Sequence, residues 1–103
     1  MDSRQRQVIW SREARSALDE VLSYISQNSP IAAEQFLDQT LATAATLASF
    51  SERGRVVPEI GNSDTRELFI QRYRLIYEVT STEVRILAFV HGARDFAKWR
   101  QGE

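Results

Sequence analysis

The hydrophobic residues of this chain change their spacing midway, from helical to strand-like, and this change restricts the fold more than any other feature. Between residues 12 and 50, apolar side chains recur every three or four positions, which is typical of amphipathic helices. After residue 65 they lie in short runs rich in β-branched and aromatic residues, which predicts strands. A chain of 103 residues is the size of one domain. We therefore predict a single α+β domain over residues 1–103.

Two helices are expected in the first half. Ser11 is a suitable N-cap for a helix over residues 12–27, and Glu13 lies in its first turn, where a negative charge is favourable. A Ser-Pro pair at residues 29–30 supplies the cap and first residue of the next helix. Such a short connection predicts an antiparallel helical hairpin. The buried positions of the second helix, which should end near residue 50, are expected to be Ala33, Phe36, Leu37, Thr40, Leu41, Ala44, Leu47 and Ala48.

The rest of the chain is expected to form a sheet. A first strand is predicted at Gln7–Trp10, and three more at about residues 65–71, 73–79 and 84–91. The order β-α-α-β-β-β indicates a helical hairpin packed on one face of a small, curved, mainly antiparallel sheet. Strict alternation puts Tyr73, Leu75, Tyr77 and Val79 opposite Arg74, Ile76 and Glu78, and puts Val84, Ile86, Ala88 and Val90 opposite Arg85, Leu87, Phe89 and His91. The second face should stay partly open, lined by arginine and aromatic side chains.

The charges are unevenly distributed. Residues 11–50 carry two basic and five acidic side chains, whereas residues 53–100 carry nine basic and six acidic ones. Twelve of the thirteen basic residues are arginine, which suits paired hydrogen bonds to carboxylate or phosphate groups. The net charge of −1 argues against strong non-specific binding to nucleic acid. The arginines of the second half therefore either serve a partner or keep the surface soluble.

Composition excludes several classes of site. No cysteine is present, so disulfides and thiolate metal sites are excluded, and a cytoplasmic location is expected. One histidine and carboxylates without ligand spacing predict no metal site, and no glycine-rich phosphate loop is found, so no cofactor is expected. No apolar run approaches the roughly 18 residues of a membrane span.

Six short motifs follow one another along nearly the whole chain. These motifs are Ser29-Pro30-x-Ala32-Ala33, Gly54-Arg55-x-x-Pro58-Glu59, Arg66-Glu67-Leu68, Tyr73-Arg74-x-x-Tyr77, Val84-x-Ile86-Leu87 and His91-Gly92-x-Arg94-Asp95. Their order and spacing resemble the RelE/ParE family of bacterial toxins from type II toxin–antitoxin pairs. The resemblance implies the sheet-plus-hairpin fold, a hetero-oligomer with a cognate antitoxin that holds the toxin inactive, and contact with operator DNA only through that antitoxin.

The family divides by target, into RelE-type ribosome-dependent messenger-RNA endonucleases and ParE-type inhibitors of DNA gyrase. The RelE-type pattern implies lysines before the Tyr-Arg motif, the arginine of that motif, an arginine after the last strand, and an aromatic acid–base residue beyond it. Arg74 and Arg94 match the two arginines, but Glu67 stands among the positions expected for lysine, and no tyrosine follows Arg94. A carboxylate there repels phosphate. His91 can serve as a base, although a histidine at a strand end is more often structural.

The incomplete ribonuclease pattern and a sequence pI of about 5.9 favour the ParE-like function, a gyrase inhibitor that is not itself an enzyme. One alternative is a RelE-like, metal-independent endoribonuclease acting on ribosome-bound message, with Arg74, Arg94 and His91 as catalytic candidates. A second is a weakly toxic module that binds the antitoxin and acts as co-repressor.

Individual side chains are assigned on this basis. The expected target-binding residues are Arg66, Arg74, Arg94, Lys98 and Trp99, and the expected antitoxin-binding residues are Tyr77, Phe89, Phe96 and Trp99. Structural roles compete with several of these: an ion pair of Arg74 with Glu67 or Glu78 is as well supported as a contact with a target, and Tyr73 and Tyr77 are more readily explained as sheet core. Arg55 beside Gly54 is expected to pair with Glu59 or to solvate a turn.

Overall fold

A computed structural model of the chain describes residues 5–92, which form a helical hairpin on one face of a five-stranded sheet. The elements in chain order are β1 (Gln7–Trp10), α1 (Arg12–Ser26), α2 (Pro30–Ala45), a 3-10 helix (Thr46–Ala48), β2 (Arg55–Val56), β3 (Thr65–Ile70), β4 (Tyr73–Val79) and β5 (Glu83–His91). The strand order is β1-β5-β4-β3-β2. Within residues 5–92 only the β1–β5 pair is parallel, so the predicted α+β fold with a mainly antiparallel sheet is confirmed.

Both helices begin where their caps predict. The Ser11 hydroxyl accepts a hydrogen bond from the Ala14 amide, and the Ser29 hydroxyl accepts one from Ala32, each at 3.0 Å. These bonds satisfy amide groups that have no partner inside the helix. Pro30 occupies the first turn of α2, where its missing N–H costs nothing. No helix within residues 5–92 has the length and apolar character needed to cross a membrane.

The main core lies between the hairpin and the sheet. Its buried residues are Ala14, Leu18, Phe36, Ala44, Leu47, Ile70, Leu75, Tyr77, Val84, Ile86 and Phe89. Thr40 is also fully buried, as predicted, but Leu41 remains 46 % exposed. Leu41 was therefore wrongly assigned to the buried face of α2. That face includes fewer of the apolar residues of the helix than the sequence predicted.

A β-bulge in β5 corrects the predicted alternation. Ile76 pairs with Ala88 whereas the next residue of β4, Tyr77, pairs with Ile86, so Leu87 has no partner in β4. One extra residue turns every later side chain to the other face. Phe89 consequently packs in the main core with Ile86, while Ala88 lies on the opposite face.

A second, smaller core covers part of the face that was expected to stay open. Val57, Ile76, Ala88 and Val90 are buried there, with Ile60 packed against them. The segment that covers this face follows β2, a two-residue edge strand that the sequence did not predict. Exposed apolar surface on this side is therefore smaller than expected, although Phe69 is still 52 % exposed.

Candidate functional site

Arg74 and Glu67 form a buried ion pair on the sheet face opposite the helices. The Arg74 Nε donates to Glu67 Oε1 at 2.6 Å, and the two side chains are 4 % and 0 % exposed. The remaining guanidinium nitrogens of Arg74 donate to both carboxylate oxygens of Glu59, at 2.9 and 2.8 Å. Arg74 is thus held by two carboxylates, which confirms the pairing with Glu67 among the two predicted alternatives.

Arg55 completes this charge cluster from the neighbouring strand. Its Nε donates to Glu67 Oε2 at 2.6 Å, and its guanidinium lies 5.7 Å from the centroid of the Phe69 ring, within the range of a cation–π contact. The predicted pairing of Arg55 with Glu59 is therefore wrong. Glu67 is buried but receives a guanidinium on each oxygen, which satisfies a carboxylate that would otherwise be costly to bury.

The carboxylates stabilise the positive charge of Arg74. Hydrogen bonding to Glu59 raises the pKa of Arg74. Desolvation by burial lowers this pKa, and the hydrogen bond to Glu67 raises it further. At least three of the five N–H groups of Arg74 donate to carboxylates and the side chain is 4 % exposed, so little of this guanidinium faces a phosphate or a protein target.

Tyr77 and Phe89, two of the residues assigned to the antitoxin, are buried. Tyr77 is fully buried, and its hydroxyl donates to the Ser51 carbonyl and accepts from the Gly54 amide, both at 2.8 Å. Burial raises the pKa of this hydroxyl, although the Gly54 amide acts against it. Phe89 stacks on Tyr73 with 5.4 Å between ring centroids. Neither side chain has a surface to offer, so these two assignments are corrected to structural roles.

His91 lies at the exposed end of β5, beside an aromatic side chain. Its ring meets Tyr73 edge-on at 5.7 Å, and both line an open cleft of about 540 Å³ with Tyr24, Arg72 and others. Within residues 5–92, no three side chains of the metal-binding types lie together. Arg74, the second of the three catalytic candidates, does not line this cleft, and the third, Arg94, lies outside the described residues.

Arg66 lies beside the loop that precedes β2 and is held there by backbone carbonyl groups. Its Nε donates to the Ser63 carbonyl at 3.0 Å and its Nη1 to the Gly54 carbonyl at 2.9 Å. The remaining predicted site residues, Arg94, Phe96, Lys98 and Trp99, lie outside the described residues.

Sequence reasoning missed a groove beside β1. Val8, Ile9, Trp10, Leu37 and Leu41 line it together with Arg15, Leu18 and Asp19, and its volume is about 430 Å³. Ile9 is 36 % exposed, and β1 is an edge strand. The sequence feature that could have revealed this groove is the apolar run Val8-Ile9-Trp10. Because neighbouring residues of a strand point to opposite faces, β1 has two apolar faces, although the helices cover only one.

Comparisons with known proteins agree with this architecture. The family model described as ParE toxin of type II toxin–antitoxin system, parDE, matches residues 8–96. A protein named Toxin RelE2 from Caulobacter vibrioides is 34 % identical over 89 residues, which covers 85 % of this chain and 97 % of the relative. A structure titled Chromosomal ParDE TA system from P. aeruginosa superposes with a TM-score of 0.69 at 19 % identity, over 84 % of this chain and 96 % of the other.

Proposed function

This chain belongs to the ParE toxin family of type II toxin–antitoxin systems, and from that membership we propose that it inhibits DNA gyrase and does not cleave RNA. A toxin of this class has a cognate antitoxin as its partner. Gyrase is the proposed target, and the cytoplasm is the proposed place of action.

The charge cluster around Arg74 is the observation that carries the choice of target. Cleavage of RNA through the 2′-hydroxyl needs cations around the charge that develops on phosphorus. Here the arginine that the ribonuclease pattern requires is 4 % exposed and pairs with two carboxylates. Glu67 adds a negative charge among the positions where that pattern has lysines. The local electrostatics therefore favour a toxin that acts by binding.

Gyrase contact is proposed for Arg66, Arg94, Lys98 and Trp99, and Arg74 is reassigned to holding the sheet face together. The assay pairs gyrase supercoiling with cell-free translation, each with and without the antitoxin. We expect the purified toxin to inhibit supercoiling and to leave messages intact in the translation reaction. Antitoxin should reverse the inhibition. Cut messages with normal supercoiling would favour the endoribonuclease, and neither effect would favour the antitoxin-binding module.

One substitution locates the gyrase surface. Arg94→Ala should weaken inhibition of supercoiling, because it removes a proposed contact. The matched control is Arg85→Ala, which removes an exposed arginine engaged with Glu83 at 2.8 Å and outside the proposed surface. Equal inhibition by both variants and the parent would argue against a role for Arg94.

For the antitoxin, we propose the groove beside β1. Edge strands accept an added strand, and the amides of β1 alternate in direction: Gln7 donates to Thr82 in the turn before β5, whereas Arg6 donates to Ala48 on the other side. The amides of Val8 and Trp10 follow Arg6 and face this outer side. A mainly apolar antitoxin segment can pair there and cover Ile9 and Leu41.

A pull-down with the cognate antitoxin tests this surface. Leu41→Gln should reduce antitoxin capture, because it places an amide in the apolar groove. Ile31→Gln is the control, since Ile31 is also exposed on α2, at 67 %, but does not line the groove. Capture that is equal for the two variants would contradict the proposed surface.

A further inference from the structure

The loop between the 3-10 helix and β2 forms one wall of an open cleft of about 570 Å³, lined by Arg6, Ser49, Phe50, Ser51, Glu52 and Arg53. The loop is firmly placed: the buried Tyr77 hydroxyl bonds both to Ser51 and to Gly54. Arg6 fixes the opposite wall, because its Nε donates to the Thr80 carbonyl at 2.7 Å. The cleft is therefore preformed, and neither the proposed gyrase activity nor the antitoxin groove accounts for it.

Three arginines around this loop are held by neutral oxygens. Arg6 donates to the Ser51 hydroxyl, Arg53 to the Thr46 hydroxyl, and Arg66 to the Gly54 carbonyl, at 3.1, 2.9 and 2.9 Å. Within residues 5–92 none of the three lies in an ion pair. Their positive charge is thus positioned but not neutralised, in contrast to Arg55 and Arg74 on the other sheet face.

A hydroxyl in the cleft adds a donor. Ser51 is 7 % exposed and lines the cleft; its oxygen accepts from Arg6, which leaves its own proton for an acceptor at the cleft wall. Guanidinium groups and hydroxyls together match the oxygens of a phosphate.

Phe50 gives this cleft its second property. Its side chain is 67 % exposed although the loop around it is fixed, so the ring is presented to solvent beside the arginines. An exposed ring next to positioned cations is the combination that binds single-stranded nucleic acid, because a base stacks on the ring while its phosphates meet the cations. A base in a duplex is already stacked and cannot do this.

We propose that this cleft is a binding site for a short single-stranded nucleic-acid segment, with phosphate oxygens on Arg53 and Arg6 and one base stacked on Phe50. Glu52 lines the same cleft and its carboxylate opposes the phosphate, so binding is weak in the parent protein. The proposal goes beyond gyrase inhibition and does not depend on it.

Fluorescence anisotropy of the purified full chain with a labelled single-stranded oligonucleotide tests the site, with duplex of the same sequence as the second probe. Arg53→Gln and Phe50→Leu should each weaken single-strand binding about tenfold, in line with one charged contact or one stacked base. Glu52→Gln should strengthen it. The control is Arg12→Gln, which removes the same charge from an exposed arginine at the far end of β1.

The salt dependence provides a second readout. Loss of one phosphate contact should lower the slope of log affinity against log salt by about 0.7 for single strands, in Arg53→Gln but not in Phe50→Leu. Melting curves for each variant separate loss of binding from loss of fold. Equal binding of duplex and single strand, or losses in Arg12→Gln as large as in Arg53→Gln, would overturn the proposal.

Discussion

Among single residues, Arg74 shows that a residue of a functional sequence motif can make structural contacts instead. It occupies the Tyr-Arg motif that the ribonuclease branch uses, yet its guanidinium is divided between Glu67 and Glu59. The partner on β3 is adjacent across the sheet, because Glu67 pairs with Ile76, two residues from Arg74. The sequence offered Glu67 as one of two partners. It gave no indication of Glu59, since that contact depends on how the segment after β2 folds over the sheet.

Removal of Arg74 should destabilise the fold. Arg74→Met leaves the buried Glu67 with the exposed Arg55 as its remaining partner, and removing one partner of a buried ion pair costs roughly 3–5 kcal/mol. The double variant Arg74→Met with Glu67→Leu should recover much of that loss, because no buried charge is left behind. Urea unfolding of the three proteins measures both effects. A double variant no more stable than Arg74→Met would contradict a cost that arises from the stranded carboxylate.

Thr40 carries an unsatisfied polar atom inside α2. Its hydroxyl is the buried side-chain group without a hydrogen-bond partner among the described residues. Thr40→Val replaces that hydroxyl by a methyl of similar shape and should raise the free energy of unfolding by about 1 kcal/mol. Thr40→Ser is the matched control, which keeps the hydroxyl and loses the methyl, and it should be destabilising. A less stable valine variant would indicate that the hydroxyl has a partner.

Among the helices and strands, local sequence signals predicted the type of each element and where it begins better than they predicted which face each side chain occupies. The caps at Ser11 and Ser29 act within three residues, so sequence alone located both helices. The direction of Phe89 depended instead on the bulge at Leu87, where the pairing of β5 with β4 shifts by one residue. No local pattern marks it, because residues 86–90 are all apolar and show no alternation that a bulge could interrupt. Burial of Phe89 could therefore not be predicted from its own strand.

Gly54 determines how closely the loop before β2 can approach the sheet. A Cβ on Gly54 would lie 2.5 Å from the Glu67 carbonyl oxygen and 2.7 Å from the Tyr77 hydroxyl, so Gly54→Ala must push the loop away from β3. We expect a loss of roughly 3 kcal/mol in unfolding free energy, near the upper end for overpacking. Thermal or urea unfolding measures it.

Gly61→Ala provides the comparison for that substitution. Gly61 has a φ of 74° but no atom within 4 Å of an added Cβ, so its cost is the backbone strain alone, about 1 kcal/mol. If the two alanine variants prove equally stable, the close approach at Gly54 is not what limits the loop.

For the whole molecule, the arginine-rich second half serves two purposes that composition alone cannot separate. Arg55, Arg74 and Arg85 pair with carboxylates of the same chain, so their charge is at least partly neutralised within the protein. Arg6 and Arg53 line one cleft and are oriented there by hydroxyl oxygens, and Arg66 is oriented by the Gly54 carbonyl of the same loop. Counting arginines predicted a charged binding face on the open side of the sheet, whereas Arg55 and Arg74 on that side are paired with carboxylates.

Tyr77 connects the main core to the loop that carries Arg53, because its ring is buried in the core and its hydroxyl bonds to that loop. We expect this position to make the stability of the whole protein sensitive to alkaline pH. Burial raises its pKa above the ordinary value of 10.0. In the unfolded chain Tyr77 loses its proton near that ordinary value, while in the folded protein it stays protonated. The free energy of unfolding should therefore fall as the pH rises above 10.0.

Urea unfolding between about pH 8 and pH 11 measures the slope. Tyr77→Phe should be less stable at the lower pH, because the Gly54 amide and the Ser51 carbonyl lose their partner, but its stability should fall less steeply. Parallel curves for the two proteins would show that another group controls the alkaline transition.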